Sequence, residues 1–356
     1  MYGWEISIIP GNYGDVRPRI LPGAWKNGEY GSGYSLRRRA LFQADPLGYL
    51  TLPEGHYMPS YLRIIALTII VLLGMAANSL LARSALGSHL IGPLPFTAIR
   101  LASGAIMLLV LALLTGTRPK SPHLLMPIML FLYALAFAYG YEQLGAATGT
   151  LFLFFSIQAT MLAWEVRRGY RLSGMQWVGS GITLAGLWVL VGGISQRPDL
   201  FGMVLMLGAG AAWAGYSILG KKSIDHLAAT TANFLYSGLA AIILLASYAV
   251  MKASHHEAIN VSFAGLYYTI LIGAITSALV YVIWYILMQE LSGITSAVIQ
   301  MLVPVIVVIS SAPLLGEHLT PHLLGAGAAM LAGILMVTIA NKKEGSRKPE
   351  ERGRDA

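Results

Sequence analysis

The sequence predicts an all-α integral membrane protein with ten transmembrane helices, arranged as two inverted five-helix repeats. Three observations predict it. Of the 356 residues, 56% are hydrophobic and only 11% are charged, whereas an average soluble protein is about a quarter charged. Apolar runs repeatedly reach the roughly 20 helical residues that a bilayer core of about 30 Å requires, and the mean hydropathy is +0.65. These runs are continuous and lack the apolar/polar alternation of barrel strands, so the backbone must satisfy its polar groups within helices.

In chain order, the first half holds the apolar runs Leu62 to Leu81, Leu94 to Thr115, Leu124 to Tyr141, Thr148 to Trp164 and Met175 to Ile194. The second half holds Phe201 to Leu219, Thr231 to Met251, Phe263 to Leu287, Ile294 to Leu315 and His322 to Ala340. Orientation is set by basic residues in the short loops, which resist translocation. Arg118, Lys120, Arg167, Arg168, Arg171, Lys221 and Lys222 fall on one side, and Arg83, Arg197 and Lys252 on the other. The first group is therefore expected in the cytoplasm. Both termini join it, as an even number of spans requires: Arg37, Arg38 and Arg39 precede the first span and Arg63 stands at its very start, and Lys342, Lys343, Arg347, Lys348, Arg352 and Arg354 come after the last.

Residues 1–61 stand apart, rich in Gly, Pro and Tyr and without an apolar run long enough for a signal-peptide core. Two readings stay open: a loosely structured polar tail, or a mis-assigned extension upstream of a start at Met58. Residues 341–356 form a basic tail expected in the cytoplasm. The net charge of +8 is explained by topology and by anionic lipid headgroups, so membrane lipids rather than nucleic acid are the expected macroscopic partner. The absence of cysteine excludes disulfides, thiol nucleophiles, Cys-ligated zinc and iron–sulfur clusters.

The halves can be laid over each other. At an offset of 147, Gly169-Tyr170-Arg171-Leu172-Ser173 falls on Gly316-Glu317-His318-Leu319-Thr320, and Ala185-Gly186 on Ala332-Gly333. At an offset of 138, Phe96 falls on Phe234 and Arg83 on Lys221. Because each half has an odd number of spans, the second copy enters the membrane from the opposite face, which is the arrangement of many carriers.

Asn78-Ser79-Leu80-Leu81-Ala82-Arg83 at the end of the first span carries a resemblance, together with Phe96-Thr97-Ala98-Ile99-Arg100-Leu101, Pro304 and Leu315-Gly316-Glu317-His318-Leu319-Thr320. On these residues the chain resembles the EamA family of the drug/metabolite transporter superfamily, over about Met58 to Asn341. It departs from an internal repeat at Ile157 against Pro304 and at Tyr170 against Glu317. The resemblance implies ten helices, EamA repeats at 62–194 and 201–340, an inner-membrane location and efflux or exchange of small metabolites. The substrate is left open, because one scaffold carries many.

Arg100 is the basic residue that falls well inside a span rather than at its end, and an intramembrane charge is a functional hypothesis by default. It can bind a carboxylate, or it can snorkel to the nearby helix end and pin loop carbonyls. Pro304 lacks the N–H that would bond the Gln300 carbonyl, so the ninth helix is expected to kink beside a polar side chain. Gln300, Gln158 and Asn78 are amides at depth that either line a path or bond between helices. Tyr281, Trp284 and Tyr285 share one face of the eighth helix by their spacing; Trp284 and Tyr285 lie near its end, where an interfacial aromatic belt is the expected role. Trp213 and Tyr216, three apart on the sixth helix, are deeper. Gly325, Gly327 and Gly333 are expected at close helix contacts.

Enzyme chemistry lacks ingredients in the spans: no carboxylate pair, HExxH or nucleophile elbow occurs there. Glu142, Glu165 and Glu290 flank helices, and His255-His256-Glu257 is read as a solvated loop. No cofactor or metal is expected. The leading expectation is an inner-membrane carrier that exports small metabolites, amino acids among them, by alternating access. A non-transporting scaffold or receptor-like subunit is the alternative. The cavity is expected between the halves, with Asn78, Gln158, Trp213, Tyr216, Tyr281 and Gln300 on its walls; oligomeric state is left open.

Overall fold

The computed structural model describes residues 60–352 except 122, 170–172, 193–198, 222, 224, 257, 292–295, 297–298, 301 and 317–319. All of these lie in the unit Pro59–Ala356. The tail with Met58 lies outside the described residues, as do Arg171, Arg197, Lys222, Glu257 and the Glu317-His318-Leu319 stretch.

Helices succeed one another as α1 (Ser60–Gly87), α2 (Pro93–Thr115), α3 (Leu125–Gln143), α4 (Ala146–Arg167), α5 (Gly174–Gly192), α6 (Leu200–Gly220) and α7 (His226–Ser254). Next come α8 (Phe263–Glu290), α9 (Leu302–Leu315) and α10 (Pro321–Arg352). Among the described residues, α1, α2, α3, α4, α6, α7 and α8 are the seven helices long and apolar enough to cross a membrane, and Leu302–Leu315 and Leu324–Val337 are shorter apolar helices. The fold is all-helical among these residues, apart from one isolated antiparallel bridge between Ile91 and Val261. Ile65, Ile69 and Leu73 on α1, and Ile106, Val110 and Leu113 on α2, are exposed apolar stripes at helical spacing. Contiguous apolar surface of this kind suits lipid rather than water.

Local chemistry sets the ends. Pro93 opens α2 at a position where its missing N–H costs nothing, and Gly116 closes it with φ 70°. Asp199 caps α6 by accepting from Gly202 N at 2.6 Å, and Asp225 caps α7 by accepting from Ala228 N at 2.9 Å. Each satisfies a backbone donor that a helix start leaves free. The second cap corrects the expected start of the seventh helix from Thr231 to His226. The first helix runs six residues past the expected Leu81, because Ala82 to Leu86 are helix formers up to Gly87. Arg83 therefore sits on a helix, not in a loop, and its Nη1 donates to the Tyr141 carbonyl at 2.9 Å.

The eighth helix holds a larger departure. Its middle, Ile272–Leu279, is π-helical between the α-helical segments Phe263–Leu271 and Val280–Glu290. A π segment widens the helix locally and turns the residues beyond it to a new face. Here Gly273 meets α2 so closely that a Cβ on it would overlap Ser103 Oγ and the Arg100 carbonyl oxygen, while a Cβ on Gly104 would fall 2.9 Å from the Gly273 carbonyl oxygen. Small residues thus let two backbones touch.

Packing crosses the middle of the chain. α6 packs on α3 and α4, and α1 packs on α8 and α9; α2 lies on α7, and α5 on α10. The α5–α10 contact is made through Gly179 and Gly333, each of which would drive a Cβ into the other's carbonyl oxygen. Gly325 and Gly327 have open space around them. The expectation of close packing fails for these two, because α10 turns its other face, with Ala326, Met330 and Gly333, toward α5.

Connections pair by face. Leu90 and Gly92, between α1 and α2, form backbone hydrogen bonds with Ser262 and Asn260, between α7 and α8. Lys120 N, between α2 and α3, donates to the Ala228 carbonyl at the start of α7 at 3.1 Å. Lys221 Nζ, after α6, donates to the Leu291 carbonyl after α8 at 3.0 Å.

Candidate functional site

Aromatic side chains from three helices converge at the centre of the fold. Tyr133 and Phe137 are four apart on α3, so they stack along one face. Trp213 on α6 lies 5.1 Å from the Tyr133 ring and 4.5 Å from the Tyr281 ring of α8. Tyr216, one turn on from Trp213, lies 5.8 Å from it. A cavity opens beside this cluster, lined by Met75, Asn78 and Ser79 of α1, Tyr133 and Phe137 of α3, Leu153, Phe154 and Ile157 of α4, Trp213 and Tyr281. It has room for about one water molecule.

Three of the six expected wall residues, Asn78, Trp213 and Tyr281, line this cavity. The others adjoin it. Gln300, just ahead of α9, accepts a hydrogen bond from Trp213 Nε1 at 2.9 Å, with both residues buried. Tyr216 is packed behind Trp213 with its hydroxyl buried and unpaired; Tyr285, Asn233 and Thr230 lie near it but outside hydrogen-bonding geometry. Gln158 comes directly after the lining residue Ile157 and is buried with its Oε1 unpaired. Asn78 Oδ1 is likewise buried and unpaired. Pro304 is buried as the third residue of α9, four residues after Gln300, whose carbonyl therefore lacks its helical donor.

Arg100 does not snorkel. It is 1% exposed, because α3 and α8 close over it from both sides. Its Nε donates to Ser277 Oγ of the π segment at 3.0 Å, and its Nη2 donates to the Tyr281 hydroxyl at 2.9 Å and to the Tyr133 hydroxyl at 3.3 Å. The guanidinium also lies 4.9 Å from the Phe137 ring centroid and 5.2 Å from that of Tyr133, within cation–π range. Nη1 has no partner.

The belt reading of Trp284 and Tyr285 fails as well. Both are 0% exposed. Their polar tips find partners inside: Trp284 Nε1 donates to Ser217 Oγ at 3.4 Å, and the Tyr285 hydroxyl donates to the Tyr216 carbonyl at 3.0 Å. Tyr133 and Phe137 were not singled out from the sequence; their four-residue spacing was the available signal. At the rim, Glu290 is held by Arg63 at 2.9 Å, tying the start of α1 to the end of α8.

A polytopic helical bundle with an aromatic, amide-edged cavity at its crossing point has the build of a membrane transporter. Residues 200–339 match the EamA-like transporter family. An uncharacterized protein of Pseudomonas aeruginosa is 41% identical over 279 residues, covering 77% of this chain and 94% of that one. The threonine/homoserine exporter RhtA of Escherichia coli strain K12 is 30% identical over 173 residues, 47% of this chain and 56% of RhtA. A probable amino-acid metabolite efflux pump of the same strain is 26% identical over 288 residues, 77% of this chain and 92% of the pump. The chain belongs to the EamA-like transporter family of the drug/metabolite transporter superfamily, and is a multi-pass membrane transporter of small molecules.

Proposed function

We propose that the chain is a bacterial inner-membrane carrier that exports amino acids or related compounds by alternating access. It has ten spans in two inverted halves, residues 62–194 and 201–340, and both termini in the cytoplasm. The observation that carries this reading is the central cavity, built by α1, α3 and α4 from the first half and by Trp213 and Tyr281 from the second. A site shared by two repeats is where rocking of one against the other changes access.

Support for inversion comes from several features. The packing of α1 on α8 and α9 repeats as α6 on α3 and α4, the pattern expected when each helix has a counterpart five positions on. Gly169 after α4 and Gly316 after α9, matched at the 147-residue offset, both hold positive φ, 91° and 66°. The pairing of loops by face agrees with a chain that alternates sides from α1 to α8. The relatives named as exporters of threonine, homoserine and amino-acid metabolites support the substrate class and the direction. Pro304, the third residue of α9, puts the proposed bend at the start of that helix.

Counterflow in proteoliposomes tests the reading. Vesicles preloaded with a mixture of proteinogenic L-amino acids should take up labelled tracer of at least one of them faster than protein-free vesicles. A folded protein that exchanges none would instead be a scaffold. The topology is tested separately, since the native chain offers no competing thiol. An impermeant maleimide added to intact cells should label Ala253→Cys and leave Arg118→Cys unlabelled. The reverse pattern would overturn the orientation.

A further inference from the structure

The unpaired polar atoms around the cavity are of two kinds, and they lie in different places. Toward α2 and α8 the surplus is in donors. Arg100 spends its Nε on Ser277 and its Nη2 on two tyrosine hydroxyls, while Nη1 stays unpaired. The Tyr281 hydroxyl in turn donates to the Tyr133 hydroxyl at 3.2 Å. A relay that starts on a cation and runs through two phenols polarises each O–H in sequence, and it ends on the Tyr133 hydroxyl, which accepts from both Arg100 and Tyr281. No carboxylate pairs with Arg100 among the described residues. On α1 the surplus is in acceptors: Asn78 Oδ1 lines the same cavity, 4% exposed as a residue and without a donor.

We propose that this cavity recognises a zwitterionic α-amino acid, with Arg100 and the Tyr281 and Tyr133 hydroxyls receiving its carboxylate and Asn78 Oδ1 accepting from its ammonium group. The proposal rests on the carrier reading above and names the groups that select its substrate. A guanidinium buried with neutral partners alone is expensive. Cation–π contact with Tyr133 and Phe137 offsets part of that cost, and a substrate carboxylate supplies the missing anion through charge-assisted hydrogen bonds. Arg100 lies directly behind Tyr133 and Tyr281, two residues of the cavity wall. With space for about one water, the cavity must widen to admit an amino acid, and a shift of these two rings gives its carboxylate access to Arg100. Because Arg100 belongs to α2 and Ser277 and Tyr281 to α8, a carboxylate held there touches both halves at once. Binding is thereby linked to their relative position.

The test uses the purified full-length chain in micelles, with thermal stabilisation by each proteinogenic L-amino acid read first. The strongest stabiliser is then compared with its methyl ester, which lacks the anion, and its N-acetyl derivative, which lacks the cation. Each derivative should bind about tenfold more weakly or worse, as loss of a charge-assisted contact implies. Tyr133→Phe should weaken the free amino acid about tenfold and leave the ester unchanged, since the ester has no carboxylate for that hydroxyl. Arg100→Lys should retain preference for the free acid over the ester, and Arg100→Gln should lose it. An ester that binds as tightly as the free acid overturns the proposal and leaves the carrier reading intact. If no amino acid stabilises the chain, and none exchanges in counterflow, both fall together.

Discussion

Gly273→Ala should lower the thermal stability of the protein by about 2 kcal/mol or more, the upper part of the range for overpacking a filled interior. A Cβ at this position lands on Ser103 Oγ, on the Arg100 carbonyl oxygen and 2.9 Å from the Arg100 carbonyl carbon. Backbone atoms cannot swing aside as a side-chain tip does. Relief therefore requires α2 and the π segment to separate, which lengthens the 3.0 Å bond from Arg100 to Ser277 and loosens the Arg100 cluster. The same substitution at Gly325, which has open space around it, should be neutral or stabilising by up to about 1 kcal/mol, because alanine is the better helix former. The two variants make the same chemical change, so their opposite signs isolate packing from propensity. Melting curves in micelles tracked by far-ultraviolet circular dichroism read both. A Gly273→Ala protein that melts with the wild type would mean that the α2–α8 contact is not as close as described.

The reach of the sequence is clearest at Arg100 and in α8. Hydropathy locates apolar runs along the chain axis, so most of the apolar helices fell within a few residues of their expected places. It carries no information about azimuth, which decides the neighbours of a side chain. Depth along α2 suggested that Arg100 could reach the helix end, yet α3 and α8 occupy the volume around it and supply three hydroxyls. The π segment was invisible for a related reason: Ile272–Leu279 is built of the same small and apolar residues as an α-helical span, and a change of hydrogen-bond register leaves no mark on residue type. Trp284 and Tyr285 were placed at an interface because they lie near the end of the eighth span; the Ser217 hydroxyl and the Tyr216 carbonyl hold their polar tips inside the bundle. Polar and aromatic residues at depth were legible as candidates. Their convergence on Trp213 needed the packing of α6 against α3 and α8.

Gln300→Leu should cost about 1 kcal/mol of stability, the usual size of a hydrogen bond inside a membrane protein, because it strands the Trp213 indole N–H in a buried place. Trp213→Phe removes that donor and leaves Gln300 a weaker contact, its Nε2 donating to the Ser296 carbonyl at 3.5 Å. The double variant removes both polar partners, so it should be more stable than the sum of the single losses predicts by about 1 kcal/mol. Exchange activity separates the two roles this pair can have. If Trp213 and Gln300 contact the substrate, counterflow should remain at least about tenfold down in the double variant, even though its melting recovers. Tyr216→Phe sharpens the comparison, since the hydroxyl it deletes is buried and unpaired. Its removal should leave stability unchanged or slightly raised, so any loss of exchange belongs to the transport path. Recovery of exchange in step with stability across the Trp213–Gln300 cycle, together with full activity in Tyr216→Phe, would make this cluster a structural support and move the binding site toward Asn78 and Arg100.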